Sequence, residues 1–297
     1  MKQMPVLHPG SRIGLVAPAR KVTLEEMRWA VGWLEQQGWV SVYDDRLFAD
    51  HYIFAGDDGF RADVLQAYLD DDRLDAIWLA RGGYGSIRIV DRLDFTHFLQ
   101  RPKWVVGFSD TTVFHGRLSR LGIPSIHASM PFCFADKTSD ARQSLADALS
   151  GRLLHYVFAA HRLNRTGQMK GQIVGGNLSV LYSLMGSNAF PDVEGKILFL
   201  EEVDEYIYHV DRMMRALMRA DKLAGLKGLV VGGLTQIHDN SQPFGMGVEE
   251  VIAEAVAGYA YPVCFGFPAG HFADNRALVF GKESQLSVTD DGVEYWG

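Results

Sequence analysis

The stretch Trp104-Val105-Val106-Gly107-Phe108-Ser109-Asp110-Thr111-Thr112 sets a serine at the corner between an apolar, β-branched run and a helical pattern. The run suits a buried parallel strand, Gly107 allows a sharp turn, and a helix is expected from about Thr111 to Arg120. A serine on such a corner exposes its hydroxyl between backbone N–H groups. Nucleophilic acyl transfer needs that combination, a reactive oxygen beside donors for the developing oxyanion. The hydrolase elbow is written G-x-S-x-G, and Thr111 stands in its fifth position here, so the match is partial. On these residues alone, an ordinary strand-to-helix turn with a capping serine accounts for the pattern too.

A serine nucleophile needs a base, and the base needs an orienting acid. Of the ten histidines, His271 follows Gly270 at the end of an apolar segment, and His127 ends a short strand in the first half. The other eight fall in helices or polar loops. Glu201 terminates an apolar strand, where an unpaired carboxylate is costly; pairing with a nearby arginine is its alternative use. Ser109, Glu201 and His271 follow the Ser…Glu…His order of the α/β-hydrolases. The loop Arg81-Gly82-Gly83-Tyr84-Gly85 admits three roles: a phosphate cradle, an oxyanion-hole N–H, or a tight turn. It lacks the Lys-Ser/Thr ending of a P-loop and the G-x-G-x-x-G spacing of a dinucleotide fold, so nucleotide binding has little support. There is no H-E-x-x-H and no ligand spacing among the histidines, so no metal or other cofactor is expected.

The elements that must position these residues alternate. Strands at 12–17, 40–43, 75–80, 104–107 and 123–127 are separated by helices, one opening on a Thr23/Glu26 capping box and another at 60–69. The alternation predicts an α/β domain with a parallel sheet over residues 1–150. Residues 151–169 carry no periodic pattern and read as a linker. A second domain is expected over 170–297. It opens at 171–177, has buried strands at 196–200 and 226–233 and helices at 178–185, 210–220 and 248–257, and closes on a hairpin through Asp290-Asp291-Gly292.

Length and composition bound the classes open to the chain. Its 297 residues accommodate two ordinary domains. With 47% hydrophobic and 22% charged residues it has a soluble, globular composition, and a net charge of −7 without a basic run argues against a nucleic-acid surface. The first ten residues lack the apolar core of a signal peptide, and no apolar stretch reaches the roughly 18 residues of a membrane span. Cys133 and Cys264 sit in apolar surroundings without C-x-x-C spacing, as expected of reduced thiols in a cytoplasmic protein.

Taken in order, Val16-Ala17-Pro18-Ala19, Arg81-Gly82-Gly83-Tyr84-Gly85, Gly107-Phe108-Ser109-Asp110-Thr111-Thr112, Gly175-Gly176-Asn177-Leu178, Leu198-Phe199-Leu200-Glu201-Glu202 and Pro268-Ala269-Gly270-His271 span nearly the whole chain. The set resembles the LD-carboxypeptidase family of serine peptidases, which also includes the microcin-immunity peptidases; the length is more like the muropeptide carboxypeptidase branch. The resemblance implies a glutamine-amidotransferase-like α/β domain carrying the nucleophile. A smaller, mainly β C-terminal domain with helices would carry its partners. It implies Ser109 as nucleophile, His271 as base, Glu201 as its orienter, and the backbone N–H groups of Gly83 and Asp110 as oxyanion donors. Glu202 adjoins Glu201, and because a strand alternates its faces only one of the two points into the site. Further implications are a homodimer and, as substrate, cytoplasmic cell-wall tetrapeptides that lose a terminal D-alanine after the L-centre of a diamino acid. Arg81 and Arg276 are candidates, by charge and position alone, to receive the substrate's terminal carboxylate. Two other readings stay open: a peptidase acting on peptide-nucleotide amides, and a two-domain protein holding a small ligand in its cleft without chemistry.

Overall fold

The computed structural model describes residues 3–297. Its first half runs β1 (Arg12–Val16), α1 (Leu24–Gln36), β2 (Val40–Val42), α2 (Asp58–Asp70), β3 (Ala76–Leu79), β4 (Trp104–Gly107), α3 (Thr112–Arg120), β5 (Ser125–His127) and α4 (Ser139–Leu149). Helix α1 starts at the capping box: Thr23 Oγ1 accepts from the Glu26 amide at 3.3 Å, and the Glu26 carboxylate accepts from the Thr23 amide at 2.7 Å. Met27, Ala30, Trp33 and Leu34 form its buried face. The five strands lie parallel in the order β5-β4-β3-β1-β2. Every residue of β3 and β4 is buried, as in a parallel sheet covered on both faces.

The second half runs β6 (His155–Ala159), β7 (Gly167–Asn177), α5 (Leu178–Leu184), β8 (Ile197–Val203), α6 (Ile207–Arg219), β9 (Gly228–Thr235), α7 (Val248–Ala255), β10 (Val263–Cys264), β11 (Leu278–Phe280), β12 (Glu283–Val288) and β13 (Gly292–Trp296). Its sheet has the order β10-β9-β8-β7-β12-β13-β6, parallel from β10 to β7 and antiparallel beyond. The architecture is therefore the expected α/β one, a parallel-sheet region followed by a mainly β region with helices.

Two strands depart from the sequence reading. Residues 151–169, read as a linker, contain β6, which pairs along its length with β13 and forms an edge of the second sheet. An edge strand is short and partly exposed, so His155-Tyr156-Val157-Phe158-Ala159 shows no clear period to a reader of sequence. Strand β11 belongs to the first sheet, not the second, pairing antiparallel with β5 so that Leu278 faces His127. The two halves share one contiguous apolar core. Where they meet, the Asn177 amide at the end of β7 donates to Thr112 Oγ1 at the start of α3, at 2.9 Å. No helix among the described residues is long and apolar enough to cross a membrane. Both cysteines are free thiols.

Candidate active site

The turn after β4 is strained. Ser109 has φ +62°, a left-handed backbone that serine seldom adopts, and a single 3₁₀ turn then feeds α3. The strand end beneath it is clamped. The Gly107 carbonyl accepts from His115 Nε2 at 2.9 Å and from the Ala128 amide at 3.1 Å, while His115 Nδ1 accepts from Ser125 Oγ at 2.8 Å. Burial pushes the His115 pKa down to about 4, so the ring is neutral, with one donor and one acceptor nitrogen as these two bonds require. Ser109 itself is half-buried between the buried Phe108 and Asp110.

A second carrier brings the acid. Glu201 sits near the end of β8, wholly buried, and its Oε2 accepts from His271 Nδ1 at 2.6 Å. Its Oε1 has no hydrogen-bond partner among the described residues. The register between β8 and β9 slips here: Leu200 faces Val231 but Glu202 faces Leu234, which leaves Gly232 and Gly233 together opposite Glu201. Side chains at this bulge would collide with the loop that carries the histidine. A Cβ on Gly232 would stand 2.3 Å from the Ala269 carbonyl oxygen, and one on Gly233 2.4 Å from the Phe272 ring. The Gly233 amide instead donates to the Ala269 carbonyl at 2.9 Å. Asn275 Oδ1 accepts from the Gly270 amide at 2.8 Å, and Lys137 Nζ donates to the Phe272 carbonyl at 3.0 Å. So held, the His271 ring lies 4.7 Å, centroid to centroid, from Phe108, the neighbour of Ser109.

Glu202 points to the other face and is saturated. It accepts from Asn177 Nδ2 (2.8 Å), the Ser179 amide (2.7 Å), Ser179 Oγ (2.6 Å) and the Val203 amide (2.9 Å). Burial raises its pKa, and these bonds pull the other way. Asn177 in turn caps α5, its Oδ1 accepting from the Val180 amide at 3.1 Å.

The glycine-rich loop approaches the serine turn from the side. A Cβ placed on Gly82 would lie 3.4 Å from the Asp110 amide nitrogen. Neither the Gly83 amide nor the Asp110 amide donates to a backbone carbonyl among the described residues. The Asp110 carboxylate is engaged elsewhere, accepting from the Ser86 amide at 2.9 Å, and burial raises its pKa. Arg61 shapes this loop from beneath. Its wholly buried guanidinium donates to the carbonyls of Gly56 (3.2 Å), Pro18 (2.5 Å) and Gly85 (3.1 Å) and pairs with Asp58.

Not every sequence candidate joins the cluster. Arg81 pairs with Glu26 at 3.0 Å, and Arg276 pairs with both Asp274 and Asp140 at 3.0 Å, so each already has a carboxylate. His127 is enclosed by the rings of Phe108, Phe199 and Phe280, with neither ring nitrogen partnered among the described residues; burial holds its pKa well below the usual histidine range. Among the described residues, no three His, Cys, Asp or Glu side chains gather as metal ligands. Sequence reasoning missed His115, Ser179 and Arg61. Asn177 had a signal in Gly175-Gly176-Asn177, but its partner Glu202 was not legible there.

A strained serine turn at the end of a parallel strand, with a buried glutamate of another sheet bonded to a histidine that packs on the turn's Phe108, is a layout suited to acyl-transferring hydrolases. Residues 13–128 match the LD-carboxypeptidase N-terminal domain, and residues 170–286 match the LD-carboxypeptidase C-terminal domain. The chain belongs to the LD-carboxypeptidase family and is a hydrolase of that family. The murein tetrapeptide carboxypeptidase of Pseudomonas aeruginosa is 27% identical over 288 residues, 93% of this chain and 92% of its own. The crystal structure of muramoyltetrapeptide carboxypeptidase from Oxalobacter formigenes is similar with a TM-score of 0.88 at 25% identity, covering 96% of this chain and 98% of that one. MccF in complex with glutamyl sulfamoyl guanosine has a TM-score of 0.87, covering 98% and 97%, at 18% identity, a likeness of fold alone.

Proposed function

We propose that the chain is a cytoplasmic serine L,D-carboxypeptidase that releases the terminal D-alanine from murein tetrapeptides in cell-wall recycling, and that it works as a homodimer. One observation carries this reading: the buried Glu201 carboxylate bonded to His271 Nδ1 at 2.6 Å, with the imidazole against Phe108 beside the strained Ser109. The names of the murein-cleaving relatives support the substrate.

In the proposed mechanism Glu201 holds the proton on Nδ1 and so leaves Nε2 as the basic nitrogen of His271. That nitrogen takes the Ser109 proton as Oγ attacks the carbonyl before D-alanine. The oxyanion is received by the Gly83 and Asp110 N–H groups, which have no backbone acceptor of their own among the described residues. The proton then passes to the leaving amine, the C–N bond breaks, and an ester to Ser109 remains. Water, deprotonated by the same imidazole, hydrolyses the ester and restores the serine. Glu201 stabilises the imidazolium by charge at both stages.

Incubation of the purified protein with a murein tetrapeptide, followed by mass spectrometry, should show release of D-alanine that a chelator does not abolish. A serine-reactive phosphonyl probe should label Ser109. A protein that binds the peptide, releases nothing and resists the probe would sink the reading. Competition between the tetrapeptide and a peptide-nucleotide amide shows which substrate the site prefers.

A further inference from the structure

A carboxypeptidase recognises a free carboxylate on the residue it releases, and the structure points to a group for that task. In C(=O)–N–Cα–COO⁻ the carboxylate carbon is three bonds from the scissile carbonyl, so its receptor must stand within about 4 Å plus a hydrogen bond of the oxyanion site. Arg20 meets that condition if Gly83 is an oxyanion donor. Its Cδ and Nε lie 2.6 and 2.7 Å from where a Cβ on Gly83 would stand.

The backbone that carries Arg20 is held in place. Its amide donates to the Gly82 carbonyl at 3.4 Å, the Ala19 carbonyl accepts from Ala55 at 3.0 Å, and the Pro18 carbonyl accepts from the buried Arg61. A bridge to Phe54 secures the other side. The side chain is exposed, and no described aspartate or glutamate lies within ion-pair distance of it. The other cations near this rim are committed: Arg61 and Arg88 to Asp58, Arg81 to Glu26, Arg276 to Asp274 and Asp140, and Lys137 to the Phe272 carbonyl. Arg20 thus keeps a planar fork of donors, suited to a carboxylate, one residue's span from the proposed oxyanion hole.

We infer that Arg20 binds the terminal carboxylate of the peptide substrate and makes the enzyme an exopeptidase. The inference rests on the peptidase reading above and adds to it the residue that measures the distance from the chain end. Peptides whose terminus is an amide lose this contact and should be poor substrates.

The test compares a tetrapeptide ending in free D-alanine with the same peptide ending in D-alanine amide. Arg20→Gln should lower kcat/KM for the acid on the order of 10- to 100-fold, mostly through KM, so that the ratio of acid to amide falls towards one. Arg20→Lys should keep an intermediate ratio. An unchanged ratio, or an equal loss on both peptides, overturns the assignment. If the wild type turns over neither peptide, the peptidase reading fails by itself, and calorimetry decides the inference separately. Ser109→Ala should bind the acid more tightly than the amide, and Ser109→Ala/Arg20→Gln should bind both alike. Equal affinities in Ser109→Ala itself would discard Arg20.

Discussion

Glu201 and Glu202 are consecutive in one strand, 0% and 1% exposed, and their surroundings differ completely. On one side of β8 a carboxylate faces a histidine, with a single bond at 2.6 Å and one oxygen left without a partner among the described residues. On the other side a carboxylate is enclosed by four donors from Asn177, Ser179 and Val203. A carboxylate whose lone pairs are all met by fixed donors has no capacity left to respond when a charge appears nearby. One with a spare oxygen in a buried site gains much from a proton arriving on its neighbour. Burial alone therefore does not mark a reactive acid; the number of committed lone pairs separates the two.

Ser109→Ala sets the floor for that contrast, because neither glutamate can matter to turnover once the proposed nucleophile is gone. Turnover should fall on the order of 10³-fold or more while the peptide still binds, read by D-alanine release and by calorimetry. Substantial residual turnover would mean that Ser109 is only a turn residue. Glu201→Gln comes next. It frees the His271 tautomer, and kcat/KM should drop roughly 10²- to 10⁴-fold with thermal stability kept. Glu202→Gln should show the converse: less than about a tenfold change in activity, but a loss of about 1–3 kcal/mol in urea unfolding, because an amide NH₂ faces donors that were bonded to oxygen. Should Glu202→Gln prove the more damaging to catalysis, the roles given to the two faces of β8 are reversed.

A further effect, confined to stability and to a pH window, concerns the clamp under the serine turn. His115 has its folded pKa lowered to about 4 from an ordinary 6.5, so between those values the unfolded chain binds a proton that the native protein does not. Its contribution is complete above the ordinary value and is lost as pH falls towards 4, up to about 3 kcal/mol in all. Subtracting the stability of His115→Gln from that of wild type across pH 4–7 isolates it from buried acids such as Asp110, whose raised pKa acts in the opposite sense. A flat difference would show that burial does not hold the His115 ring neutral.

Much of this was legible in the chain itself. The capping box at Thr23 and Glu26, the strand before Gly107 and the glycines around it, and the order of the chemical residues are local signals. The choice between Glu201 and Glu202 was not local. It depends on a bulge whose extra residue lies in β9, at Gly232 and Gly233, on a strand the sequence does not align with β8. The pairing of Arg81 and Arg276 was not legible for a related reason: charge beside a motif says nothing of the carboxylate already paired with it. Strand β11 escaped because it is three residues long and its partner β5 lies more than half a chain earlier.

That late strand has a consequence for the chain while it is being made. The first sheet acquires β11 only after nearly all the other strands have left the ribosome, and His271 emerges just ahead of it. Until β11 pairs, the edge of β5 lies open to other chains, a hazard that should show as chaperone binding to chains truncated before residue 278 and not to the full chain. Throughout that interval the proposed nucleophile has no base. Synthesis order thus separates the proposed nucleophile from its proposed base until residue 271 has been made.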